Sequence, residues 1–199
     1  MGLNLQCEYG QTPLEAEELD GLKINTISTK SELDEFEQQN IEEAMLWVFG
    51  KKWKKEKILS ENFITDLHKR MYKNVWKWAG KYRKTEKNIG VPAYSISIEL
   101  KKLLDDTMFW VENDSFSPDE IAIRFKHRLV AIHCFPNGNG RHSRMMADII
   151  IDKLYAQRPF SWGIYQDNKA KDVIRKEYIN AVKEGDRNNI KPLVVFART

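Results

Sequence analysis

The sequence predicts a mainly α-helical chain carrying one short β-hairpin flap, and three observations support that reading. Apolar residues recur at three- and four-residue spacing through most of the chain, the pattern of helices with one buried face. Helix starts separate these runs; the strongest, Ser117-Pro118-Asp119-Glu120, offers a cap, a proline at the first helical position and a glutamate at the third. Helical periodicity breaks over Tyr82 to Ile98, where Gly90 and Pro92 sit among Thr, Ile, Val and Tyr, and this stretch reads as a hairpin or an extended flap.

Composition sets the outer bounds. At 199 residues, 42% hydrophobic and 31% charged, the chain is expected to form one compact domain with an N-terminal extension. We divide it into an arm and helix over 1–57 and a core over 58–199. A net charge of +3 makes no case for a nucleic-acid partner, and the basic run Lys51 to Lys57 reads as a solvated face. Cys7 and Cys134 lie far apart without metal spacing, which fits a reducing cytoplasm. No signal peptide or apolar run of membrane length is seen, so no membrane partner is expected.

The elements follow in order. Residues 1–26 read as a surface arm with a helical fragment around Glu15 to Leu19. Ser28 or Thr29 caps a helix from Lys30 to Phe49, with Leu33, Phe36, Ile41, Ala44, Met45 and Val48 as its stripe and a strongly acidic polar face. Ser60 starts a helix whose spaced apolar residues run from Phe63 to Trp78, with Gly80 as its stop and His68 as a structural residue. After the flap come helices over Glu99 to Glu112, from Ser117 to Ile132, and from the next turn to Tyr155 before Pro159. A helix over Asp172 to Lys183, closed by Gly185, and a last turn or two bearing Leu193, Val194 and Phe196 complete the chain.

Chemistry concentrates in His133-Cys134-Phe135-Pro136-Asn137-Gly138-Asn139-Gly140-Arg141-His142-Ser143-Arg144. A glycine-rich turn that opens a helix can present successive N–H groups to an anion at the positive end of a helix dipole. Arg141 and Arg144, three residues apart, share a face of that first turn and can grip phosphates. His133 at the rim has the pKa of a general base near neutrality. By residue types alone, an ordinary interhelical turn and a satisfied helix-end histidine account for the stretch as well.

The stretch resembles the signature of the Fic family, His-x-Phe-x-(Asp/Glu)-Gly-Asn-Gly-Arg-x-x-Arg, matching seven of eight defined positions: His133, Phe135, Gly138, Asn139, Gly140, Arg141 and Arg144. The resemblance implies a Fic-type helical bundle and a protein adenylyltransferase that moves AMP from ATP to a Ser, Thr or Tyr hydroxyl of a target protein. Carried over by position, His133 becomes the base, Phe135 a buried anchor, Gly138, Asn139 and Gly140 the anion nest, and Arg141 and Arg144 the clamp on the outer phosphates. Ile89, Gly90 and Val91 fall on the flap that lines up the target segment by strand addition.

Two positions depart from the pattern. Asn137 stands where the family carries a carboxylate for Mg²⁺, so an amide oxygen would hold the metal more weakly. Glu37 falls where an inhibitory helix would place its glutamate against Arg144, with Leu33 and Gln38 replacing the expected Ser/Thr and Gly/Asn. The size and motif variant are also similar to Fic-type proteins called mobile mystery protein B, which implies a bacterial source. Expected partners are ATP, a hydroxyl-bearing target protein, the chain itself through self-modification, and a second copy in a homodimer. The alternatives are a phosphotransferase using another donor, and a catalytically weak interaction module.

Overall fold

The computed structural model describes residues 14–164 and 170–199. Those residues form α1 (Ala16–Leu19), α2 (Lys30–Phe49), α3 (Lys55–Ile58), α4 (Glu61–Tyr72), α5 (Ile96–Glu112), α6 (Pro118–Ile132), α7 (Asn139–Tyr155), α8 (Lys171–Asp186) and α9 (Lys191–Ala197). A 3-10 turn, Ala93–Ser95, leads into α5. The fold is the mainly helical bundle that the apolar spacing predicts.

Local chemistry sets the helix starts. The Thr29 hydroxyl accepts from Glu32 N–H while the Glu32 carboxylate reaches back to Thr29 N–H, a reciprocal cap on α2. The Ser60 and Ser117 hydroxyls cap α4 and α6 by accepting from Phe63 N–H and Glu120 N–H, with Pro118 in the first turn of α6. The axis is α7, where Met145, Met146, Ala147, Ile149, Ile150 and Ile151 are all buried. It packs on α3, α4 and α6, so the residues of its first turn rest on a rigid rod.

Four features differ from the sequence reading. The buried face of α2 is Leu33, Glu37, Asn40, Ile41, Ala44 and Val48, while Phe36 and Met45 face outward. Two polar residues therefore occupy core positions of the stripe, each with partners. Helix α4 ends at Tyr72 rather than near Gly80, because the arm pairs with the chain beyond it: Lys23 N–H donates to Val75 O and Lys77 N–H to Gly21 O, both at 2.8 Å. Helix α8 runs through Gly185 instead of stopping there; a side chain at 185 would lie 2.7 Å from the His127 ring nitrogen Nε2.

The flap, fourth, has no strand ladder among the described residues, whose single bridge joins Leu22 to Trp76. It is the extended alternative, fastened to the body. The Arg83 guanidinium donates to the carbonyls of Thr85 and Val91, which a hairpin would need for pairing. Arg83 N–H and Val91 N–H bond the carbonyls of Cys134 and Ile132 instead. No helix of the described residues is long and apolar enough to cross a membrane.

Candidate active site

The site is built where α6 ends and α7 begins. His133 caps α6 in the left-handed region, φ 57°, which turns the chain sharply away from the helix axis. Phe135 then drops into the core with no exposed surface. His68 stacks on one face of its ring, centroids 3.7 Å apart, and His142 meets it edge-on at 5.2 Å. His142 Nε2–H donates to Ile64 O. Asn139 closes the loop with its side chain, whose Oδ1 accepts from Phe135 N–H at 3.0 Å and whose Nδ2 donates to Phe135 O at 2.7 Å.

Gly138 is required by space as well as conformation. Its φ is +78°, and a Cβ there would sit 2.5 Å from the Tyr72 ring. The side of Gly140 is different: a Cβ at that position would meet nothing within 4 Å. The N–H groups of Asn139, Gly140 and Arg141 precede the first intrahelical bond of α7, which His142 N–H makes to Gly138 O. The start of the axial helix thus presents donors beside open space.

Glu37 sits on the first arginine. Its Oε2 is 2.6 Å from Arg141 Nη2, and its Oε1 accepts from Trp76 Nε1 at 2.6 Å. This corrects the expected pairing with Arg144. Helix α2 packs on α4, and its Glu37 meets the first turn of α7 at Arg141. The Arg144 guanidinium lies over the Tyr178 ring of α8, 5.3 Å from its centroid. Both guanidinium groups still act on the Tyr72 hydroxyl, which burial pushes well above the usual phenol range against their pull. A carboxylate lodged on Arg141 shows that this guanidinium takes an oxyanion where it stands.

His133 lies under the flap, 4% exposed, with neither ring nitrogen hydrogen-bonded. Burial, then the neighbouring Arg83 and Lys87 charges, push its pKa down to about 4, so the ring is neutral at pH 7. Of the flap residues singled out, Gly90 lies directly over it: a Cβ at 90 would come within 2.8 Å of the His133 Cβ. Val91 is tied to α6 through Ile132 O, and Ile89 is about half exposed. The arm holds the flap down. Glu18, itself buried, accepts from Lys87 Nζ at 2.5 Å and from the Thr85 hydroxyl at 2.9 Å.

Asn137, expected as a weak metal ligand, directs its Oδ1 to Gly138 N–H at 2.6 Å. Among the described residues no group of three or more His, Cys, Asp or Glu side chains gathers to hold a metal ion. With a neutral amide whose oxygen is already engaged and no such group among the described residues, the residues present do not fit a protein-held Mg²⁺. Sequence reading did not assign site roles to Arg83, Glu18, Lys87, Tyr72 and Trp76. None stands in a recognisable motif, but the core-phase spacing of Glu37 with Leu33, Ile41, Ala44 and Val48 was a usable signal for its burial.

Comparison with known proteins gives a family match and similar folds. The Fic/DOC family model matches residues 58–151, from the end of α3 through most of α7. "Protein adenylyltransferase Fic" of Nematostella vectensis is 25% identical over 171 residues, covering 84% of this chain. The chain spans only 38% of that relative's length. BepC from Bartonella tribocorum, solved with bound AMPPNP, superposes with a TM-score of 0.68 at 17% identity, covering 92% of this chain and 97% of BepC. Fic-1 from C. elegans gives a TM-score of 0.66 at 22% identity, covering 90% of this chain and 51% of the solved Fic-1 chain. Residues 58–151, which include the turn between α6 and α7, match the Fic/DOC family model, and over about nine-tenths of the chain the fold is that of solved Fic domains.

Proposed function

We propose that this chain is a protein adenylyltransferase that transfers AMP from ATP to a Ser, Thr or Tyr hydroxyl of a target protein, and that Glu37 holds it inactive. One observation carries the reading. A neutral imidazole and an oxyanion-gripping guanidinium flank a helix N-terminus with open space at Gly140, and the guanidinium is occupied by the chain's own carboxylate. The adenylyltransferase of Nematostella vectensis and the AMPPNP bound to BepC support the choice of donor.

In this mechanism Glu37 leaves Arg141, and the outer phosphates of ATP take its place on Arg141 and on the N–H groups of Asn139 and Gly140. Arg144, one turn along the same face, adds its charge to the leaving pyrophosphate. The target segment lies along 89–91 once the flap lifts from His133. The target O–H gives its proton to the His133 ring, the oxygen bonds to the α-phosphorus, and the bond from that phosphorus to pyrophosphate breaks. Catalysis is then mostly positioning and charge stabilisation.

The test is mass spectrometry of wild type, Glu37→Gly and Glu37→Gly/His133→Ala after incubation with ATP and cell extract. AMP added to protein in Glu37→Gly, and not in the double variant, is the expected result; undiminished transfer by the double variant refutes the base. A second reading keeps the site and changes the donated group. Asn137 favours it, because it supplies no carboxylate where the family pattern has one. Label retained from γ-labelled and not α-labelled ATP would establish it.

A further inference from the structure

A loop that receives phosphate must be shaped before phosphate arrives, and one buried side chain outside the motif shapes it. His68 on α4 has no exposed surface, and both ring nitrogens are committed to backbone groups of two separate segments. Gly80 N–H donates to Nδ1 at 3.0 Å. A backbone N–H cannot accept, so Nδ1 carries no proton, and in the neutral ring the proton sits on Nε2. Nε2–H then donates to the Asn137 carbonyl at 3.1 Å. Burial, then the nearby His142 and Arg141, drive the ring's pKa well below its ordinary value, which keeps this neutral tautomer in place near neutrality. An apolar side chain would fill the same volume without the cost of burying an imidazole, but it would forfeit the bonds to Gly80 N–H and Asn137 C=O.

We infer that His68 is a positioning residue for nucleotide binding: it fixes the Asn137–Gly138 peptide so that Gly138 N–H is presented to the phosphates. The inference rests on the reading of this loop as a phosphate site. In a trans peptide the carbonyl and the following N–H point to opposite sides. Pinning Asn137 O against α4 therefore turns Gly138 N–H away from α4, where it meets Asn137 Oδ1 at 2.6 Å. That amide oxygen occupies the donor until a phosphate oxygen displaces it. Glycine at 138 tolerates either face of the peptide, so the residue chosen for its fit against Tyr72 also leaves the peptide free to flip. His68 removes that freedom, and its stacking on Phe135 holds the same loop from the other side.

Two substitutions separate the two bonds. Asparagine places its side-chain oxygen near the Nδ1 position and keeps an acceptor for Gly80. Glutamine places its amide nitrogen near the Nε2 position and keeps a donor for Asn137. ATP titration calorimetry on Glu37→Gly, Glu37→Gly/His68→Gln and Glu37→Gly/His68→Asn is the experiment. A lost bond of this kind corresponds to about a tenfold change in affinity. The expected order is Gln within about threefold of the parent and Asn about tenfold weaker. Equal loss in both variants, or loss in neither, overturns the inference and leaves the site standing. No ATP binding by the Glu37→Gly parent instead overturns the site itself. The wild-type ring supplies an independent readout by ¹⁵N NMR: a fixed Nε2–H tautomer is expected, and an Nδ1–H or exchanging tautomer refutes the role even where the Asn variant does not fold.

Discussion

Replacing Glu37 should make the protein less stable and a better nucleotide binder at once. The Glu37 side chain is 5% exposed and the Arg141 side chain 33%, so the pair is partly desolvated. A charge-assisted hydrogen bond in such a setting contributes about 2 kcal/mol, at the low end of the range for charged partners because Arg141 keeps some solvent. Glu37→Gln keeps an oxygen for Trp76 Nε1 and loses only the charge, a cost of about 2 kcal/mol. Glu37→Gly also strands the Trp76 N–H and places glycine inside α2, adding about 2 kcal/mol more. ATP no longer competes with the carboxylate, so its affinity should rise by the pair energy, about 30-fold. Calorimetric ATP titration measures the gain and urea unfolding the loss. An ATP affinity within about twofold of wild type in both variants, with the stability loss intact, would refute the blocking role and leave Glu37 as a core ion pair.

The other predictions follow from single contacts. His133→Ala in the Glu37→Gly background should abolish transfer by mass spectrometry while ATP affinity by calorimetry stays put. Glu18→Gln removes the buried partner of Lys87, and amide exchange over 83–91 should quicken; unchanged exchange would show that the arm does not hold the flap. Gly140→Ala meets nothing within 4 Å and should leave the melting temperature unchanged or higher, yet weaken ATP binding in the Glu37→Gly background. Acid should destabilise the fold. Three buried histidines have folded pKa values below the unfolded one, His133 at about 4, His142 at about 3 and His68 well below normal, so between pH 6 and 4 the unfolded chain binds their protons and the folded chain does not. Burial raises Asp148 to about 7, which opposes one of them. The net two protons give a loss of about 3 kcal/mol per pH unit, and urea midpoints that stay flat from pH 6 to 5 would contradict it.

Much of this molecule was legible from residue order. The caps at Thr29, Ser60 and Ser117 and the spaced apolar residues located α2, α4 and α6, because each start is a local hydrogen bond between residues three apart. The shape of the motif loop was legible for a similar reason: loop closure by Asn139 and the left-handed turn at Gly138 are written in adjacent residues. What escaped is long-range. The end of α4 is set by an arm fifty residues upstream, and the flap is flattened onto the body by Arg83 reaching the far end of α6. Pairing Glu37 with Arg144 failed on geometry: which arginine a neighbouring helix reaches depends on how two helices cross, and apolar spacing does not encode crossing.

The bridge from Leu22 to Trp76 gives a short segment unusual mechanical leverage. On one side it steadies the indole that grips the acid on Arg141; on the other, the same segment carries the carboxylate that anchors Lys87 of the flap. Peeling residues 15–23 from the body would slacken both fastenings in a single motion, one at Arg141 and one at the flap over His133.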